Sequence, residues 1–298
     1  MKKLMSLAFA AIIMLAGCSD DDEPTTGILS LNISGLTNLG NDYVYEGWVI
    51  VNGAPVSTGV FTVDDSGSLS ESNFTIGISD LDAATTFVLS IEPTNDPDPA
   101  PSATKILGGD FSGSSASVNI MHAAAFGTGF GGVTGGYILA TPTTTVTTDE
   151  LSGVWFLDNS SGSAAIGLKD LPDLSSQAGW IYEGWAVIGG TPVSTGTFNA
   201  ASGFDDNYNT TSVKGADGDG PPFPGEDFVQ NAPSGLTFPT DLNGATMVIS
   251  IEPVPDNSAS PFVLKPLAGA VPASSTDHVF YSMENIAAST YPSGSVNK

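Results

Sequence analysis

Arginine is absent from this chain and lysine is scarce: 7 Lys face 32 Asp plus Glu over 298 residues, a formal net charge of −25. A protein that holds nucleic acid needs a basic face to neutralise phosphates, so that class is excluded and no nucleic-acid partner is expected. The single cysteine, Cys18, forbids an intramolecular disulfide and a thiolate metal cluster. The two histidines, His122 and His278, leave little for acid–base or metal chemistry. Long apolar runs are missing too. The uncharged stretch Ala123–Ala140 carries 6 glycines and lacks cationic flanks, which makes it a poor membrane span. What the chain does have is 41% apolar residues and 15 Phe, ample for a packed core, in a length that suits two domains.

The N-terminus carries an export pattern. Lys2 and Lys3 precede a short apolar stretch that runs into Leu15-Ala16-Gly17-Cys18. Small residues before an obligatory cysteine form a lipobox, so residues 1–17 are expected to be a lipoprotein signal peptide and Cys18 the lipidation site. Several acyl chains on one cysteine suffice for a stable anchor, which makes the membrane the expected partner through Cys18. Residues 18–26 read as an acidic tether. Its run Ser19-Asp20-Asp21-Asp22-Glu23 resembles the surface-export signal that follows the lipidated cysteine in Bacteroidota lipoproteins. The resemblance implies an outer-membrane lipoprotein exposed at the cell surface, with a periplasm-facing protein as the alternative.

The remainder is a duplication. Tyr45 to Phe61 recurs from Tyr182 to Phe198 with 11 of 17 positions identical, including Tyr-Glu-Gly-Trp and Pro-Val-Ser-Thr-Gly. A second block, Ser90-Ile91-Glu92-Pro93, returns as Ser250-Ile251-Glu252-Pro253, and a Pro-rich tail ending at Lys105 returns ending at Lys265. The offset rises from 137 to 160, so the second copy holds a net insertion of 23 residues, an acidic loop near 204–230. Two modules follow, 27–132 and 133–298. Val, Ile, Phe, Tyr and Trp alternate with polar residues in both copies, and Asn52-Gly53 and Gly189-Gly190 mark hairpins. No 3.6-residue apolar stripe extends beyond a turn. The fold class expected is all-β, two tandem antiparallel β-sandwich (Ig-like) modules.

These two motifs, recurring in order in each copy, resemble the C-terminal, extracytoplasmic domain of anti-sigma-K factors. Members of that family bind a sigma factor through a separate cytoplasmic domain joined by a membrane helix. This chain shows neither in its sequence, so the resemblance implies an outward-facing β-module without direct sigma-factor contact, and it brings no catalytic residues.

Candidate sites weigh against catalysis. Glu46, Glu183, Glu92 and Glu252 are shared by the copies, and paired carboxylates can hydrolyse glycosides. Duplicated positions point instead to a duplicated fold requirement. Strand alternation sets Glu92 opposite Phe87, Leu89 and Ile91, hence outward, and Glu46 at a core edge. In the insertion, Asp205, Asn207 and Asn209 match the first positions of a calcium loop. Thr210 then stands where glycine is needed and Ala216 where the bidentate Glu belongs, so Asp205, Asp206, Asp217, Asp219, Glu226 and Asp227 read as a solvated loop and no metal site is expected. His122 and His278 are not equivalent in the repeat. Trp48 and Trp185 repeat and read as core anchors, whereas Trp155 and Trp180 have no Trp counterpart in the first copy. The expected function is a non-enzymatic envelope lipoprotein with a binding or structural role and no cofactor, its protein or glycan partner unidentified. The alternatives are a surface glycan-binding protein or glycan hydrolase, which would need exposed aromatics beside carboxylates, and an envelope signalling component acting through a membrane partner.

Overall fold

The computed structural model describes residues 24–256 and 258–298. The signal segment, Cys18 and the greater part of the expected tether lie outside the described residues. Among the described residues no helix is long and apolar enough to cross a membrane.

Strands dominate. The first copy supplies β1 (Thr26–Ser34), β2 (Tyr43–Val51), β3 (Ala54–Phe61), β4 (Asn73–Gly77), β5 (Ala84–Pro93), β6 (Lys105–Ser112) and β7 (Ser115–Asn119). The second part supplies β8 (Thr134–Leu139), β9 (Gly153–Trp155), β10 (Leu157–Asp158), β11 (Ala165–Ile166), β12 (Leu168–Lys169), β13 (Trp180–Ile188), β14 (Thr191–Phe198) and β15 (Gly225–Asp227). It continues with β16 (Thr246–Pro253), β17 (Leu267–Ala270), β18 (Tyr281–Asn285) and β19 (Ser293–Asn297). Two short α-helices, α1 (Ile78–Ala83) and α2 (Ala287–Thr290), and a 3-10 turn at Glu150–Ser152 complete the described elements.

The repeated motif folds twice in the same way. β2 and β3 form a hairpin through Asn52-Gly53, whose φ values of 51° and 81° are both positive; β13 and β14 do so through Gly189-Gly190, at 57° and 89°. Two positive φ values in succession give a turn whose twist matches that of the flanking strands. Both hairpins slip register at the same place, between Gly47 and Trp48 and between Gly184 and Trp185. The extra residues are Thr58 and Thr195, each followed on the same strand by a glycine, Gly59 or Gly196, at φ 121° and 108°, which explains the glycine in Ser-Thr-Gly. A Cβ at Gly47 would overlap Thr58 Oγ1 and touch the Phe87 ring, and one at Gly184 would overlap Thr195 Oγ1 and the Phe156 ring. Gly47→Ala and Gly184→Ala should each lower stability by about 1–3 kcal/mol in denaturant melts, the ordinary cost of overpacking a filled core; an unchanged midpoint would contradict this packing.

Two antiparallel sheets result. Their orders are β3-β2-β5-β6-β7-β19-β1-β4 and β14-β13-β16-β17-β18-β8-β9-β15, with β12 pairing β8 and β10 pairing β11 alongside. Each curls back on itself: Phe74 of β4 packs against Phe61 of β3 at 6.1 Å, bringing the ends of the first sheet together. The all-β expectation of two sandwich-like modules holds.

The strand orders also show a crossing between the modules at residues 293–297. The slot between the seventh and first strands of the first sheet is filled by β19, the last strand of the second repeat. The matching slot in the second sheet, between β18 and β9, is filled by β8, which follows β7 in the chain. The repeats have exchanged their final strands, so residues 293–297 belong to the first module. The register is continuous, with Leu31 opposite Val296 and Val296 opposite Ala116. Lys298 then donates to the carbonyls of Leu81 and Ala84 at 2.7 and 2.8 Å and lies over the Phe111 ring. One continuous core runs through both modules, from Leu89 and Leu107 to Ile249 and Leu267. The joint contains Phe126 against Trp180 at 4.8 Å between ring centroids.

Candidate functional site

The four repeated glutamates meet in pairs because the two motif strands are neighbours: Glu46 of β2 lies opposite Ser90 of β5, and Glu183 of β13 opposite Ser250 of β16. In the first module the Trp48 indole N–H donates to Ser90 Oγ at 2.8 Å, and Ser90 donates in turn to Glu92 Oε1. That oxygen also accepts the Ser102 N–H at 2.8 Å. In the second module Trp185 donates to Ser250 at 2.8 Å, Ser250 to Glu252, and the Phe262 N–H to the same carboxylate oxygen at 2.8 Å. Ser57 and Ser194 donate to Glu46 and Glu183. The motif residues thus build a hydrogen-bonded strip across three strands, which accounts for the repetition of each one. Tyr45 and Tyr182 complete the pattern, their hydroxyls donating to the carbonyls of Thr37 and Pro172 at 3.0 and 2.8 Å.

Glu92 is therefore not outward-facing: it is 1% exposed. Alternation places it correctly opposite Leu89 and Ile91, but the second face of β5 is covered as well, by the Trp48 indole and the segment returning through Ser102. Buried polar groups persist where their partners are fixed, and here they are. Glu46 is partly exposed, as a core-edge residue should be.

The second module carries the stronger electrostatic perturbation. Burial pushes Glu183 up to about 8, with Ser194 working against it and the Asp256 and Glu252 carboxylates adding to it. Burial likewise pushes Glu252 up to about 7 against the Ser250 and Phe262 hydrogen bonds. Lys265 is held below its usual value by burial, which the Glu252 charge partly offsets.

Both strips end at one cleft. The tail after Pro93 and the tail after Pro253 face each other across a cavity of about 750 Å³, closed on a third side by residues 37–43. Leu39, Tyr43, Ile91, Pro93 and Phe262 give it apolar walls, while Asp42, Glu252, Asp256 and Lys265 supply charge. The modules touch at its edge, where Thr104 Oγ1 donates to the Gly179 carbonyl at 3.3 Å. Sequence reasoning noted the repeated tails without seeing that they meet; the signal was repetition in a stretch too Pro-rich to be a strand.

The other candidates separate. Trp48, Trp155, Trp180 and Trp185 are all buried, so none offers an open face for stacking on a sugar. Trp180 packs in the main core, while Trp155 donates to Asp227 at 2.8 Å and sits in a smaller cluster with Ile138 and Leu157. His122 pairs with Asp110 and His278 with Asp277, in different modules. Among the described residues no three His, Cys, Asp or Glu side chains gather as a metal-binding group.

No curated protein and no solved structure matches this chain. A family model described as anti-sigma-K factor rskA, C-terminal, matches residues 21–105. The Tyr-Glu-Gly-Trp strand, the Ser-Ile-Glu-Pro strand and one wall of the cleft all fall within that stretch, so the first copy's repeated strip and its cleft wall lie in a region similar to the C-terminal domain of an anti-sigma-K factor.

Proposed function

We propose that this chain is a non-enzymatic lipoprotein of the outer membrane, anchored through Cys18 and exposed at the cell surface, that binds a segment of another envelope protein in the cleft between its modules. The observation that carries the binding reading is the cleft. Its volume of about 750 Å³ lies within the range of about 300–1,000 Å³ that ligand sites occupy. Apolar walls beside Glu252 and Asp256 suit an extended segment that presents an apolar side chain next to a Lys or Arg. The burial of all four tryptophans weighs against the glycan-binding and glycan-hydrolase readings.

The test is a photo-cross-linker on intact cells. Placed at Val254, which is exposed and lines the cleft, it should trap a discrete adduct; placed at exposed Met121, outside the cleft, it should not. The same adducts from both positions, or none from Val254, would reject the cleft as the binding site. Cys18→Ala should move the protein from the membrane to the soluble fraction. A second reading, an envelope signalling component working through a membrane partner, is favoured by the match over residues 21–105. It predicts that the trapped protein spans the inner membrane.

A further inference from the structure

The insertion of the second module brings oxygen atoms together in the protein interior. In the first module the space beside Gly59 of β3 is filled by the Phe74 ring, 3.0 Å from where a Cβ would lie. Beside the equivalent Gly196 of β14 the same space holds Asn207 Oδ1 at 2.5 Å and Asp205 Cγ at 2.9 Å. The Gly225 N–H donates to Asp205 Oδ2 at 3.0 Å, so β15, whose next residue is Glu226, runs beside Asp205.

Most acids of the insertion have partners. Asp206 accepts the Thr197 N–H at 2.8 Å, Asp217 the Thr145 N–H at 3.0 Å, and Asp219 pairs with Lys214 at 2.6 Å. Asp227 accepts from Thr143 and Trp155. Three side chains keep a buried oxygen without a partner of good hydrogen-bond geometry, Asp205 Oδ1, Asn207 Oδ1 and Glu226 Oε2, with only the Asn207 and Tyr208 N–H groups near the first carboxylate and the Thr211 hydroxyl near the second. Asp205 is 4% exposed and Glu226 2%. Two buried carboxylates without a counter-charge are costly, and the lysine of this segment is already engaged.

We propose that Asp205, Asn207 and Glu226 form a binding site for a divalent cation of the calcium type. All three donors are oxygens, two anionic and one an amide carbonyl, the set that Ca²⁺ takes at 2.3–2.6 Å in flexible geometry with backbone and water oxygens completing six to eight ligands. His and Cys donors, which a softer metal would call for, are absent from the group. The broken calcium-loop pattern is explained: Asp205 and Asn207 supply its alternating start, and the carboxylate missing at Ala216 comes from Glu226 on β15.

Titration calorimetry of the full chain after EDTA dialysis, with CaCl2 and separately with MgCl2, tests the site. One Ca²⁺ per chain is expected, with Tm rising by roughly 5–10 °C at about 100 times Kd. Asp205→Asn and Glu226→Gln keep the shape and remove the charge, and each should weaken binding by about 100-fold or more. Should either fail to fold, Asn207→Ala, at a partly exposed position, should still weaken Ca²⁺ by about 10-fold. No heat and no Tm shift at millimolar Ca²⁺, or full binding in the variants, would overturn the site. Mg²⁺ binding as tight as Ca²⁺ would overturn the calcium-type assignment.

Discussion

Removing residues 293–298 is expected to unfold the first module while the second stays folded. β19 is an interior strand of its sheet, hydrogen-bonded to β1 on one side and β7 on the other, with Val296 fully buried between them. Its loss leaves two ladders unpaired, opens the core at Leu31 and Val118, and removes the Lys298 amine from the carbonyls of Leu81 in α1 and Ala84 just after it. Losses above about 5 kcal/mol are exceptional for a single change, yet they are the order expected here, comparable with the whole stability of a domain. Hydrogen exchange gives the readout. Protection at Leu89 and Leu107 should collapse, whereas Ile249 and Ile251 should remain slow. A synthetic peptide of residues 291–298 added to the truncated chain should restore the lost protection. Slow exchange at Leu89 in the truncated chain would refute the strand's role. Within the full chain, Val296→Asp should lower stability by at least about 3 kcal/mol, the cost of an unpaired charge in a packed interior.

The second large effect is on pH dependence. Unfolded, Glu183 and Glu252 titrate near the ordinary carboxylate value; folded, they are pushed up to about 8 and about 7. Between those limits the folded state holds protons that the unfolded state has released. The stabilisation is complete below the unfolded value and is lost as pH rises through the folded values, so the second module should weaken from pH 5 to pH 8. One pKa unit corresponds to about 1.4 kcal/mol, which puts the combined effect of this coupled pair at several kcal/mol. Asp256 and Lys265 are the charges facing the pair, and the serines Ser194 and Ser250 donate to it. Denaturant melts across that range should show a steep decline in the wild type. The double variant Glu183→Gln/Glu252→Gln should show a shallower one, and equal slopes would discard this explanation. Glu46, raised by burial and by its acidic neighbours, is partly exposed and screened, so the first module should respond weakly.

How much of this was legible in the sequence depended on whether the signal was local. β2, β3, β13 and β14 could be read directly, since β-branched and aromatic residues bracket turn pairs that demand positive φ. The pairing of Glu46 with Ser90 could also have been inferred, because two motifs repeated in order argue for neighbouring strands. Glu92 was misplaced because alternation says which residues share a face and nothing about whether that face meets solvent. β19 was invisible for a different reason. Ser-Gly-Ser-Val-Asn is short and has one apolar residue, and its partners, Leu31 and Ala116, lie far away in the chain. The cleft and the oxygen cluster around Asp205 are likewise products of distant segments meeting.

The exchanged strands also set the order of events during synthesis. A chain made from its N-terminus ordinarily folds its first domain first. Here β1 and β7 are complete by residue 119, yet the strand that must lie between them, Ser293–Asn297, is made only after β8 to β18. Until it arrives, two unpaired strand edges stand open, the feature that invites pairing with other chains. The first module must therefore wait for the second, and closing a loop of this length makes the final docking slow compared with the hairpins. The second module can form on its own, whereas the first is completed only when β19 docks between β1 and β7.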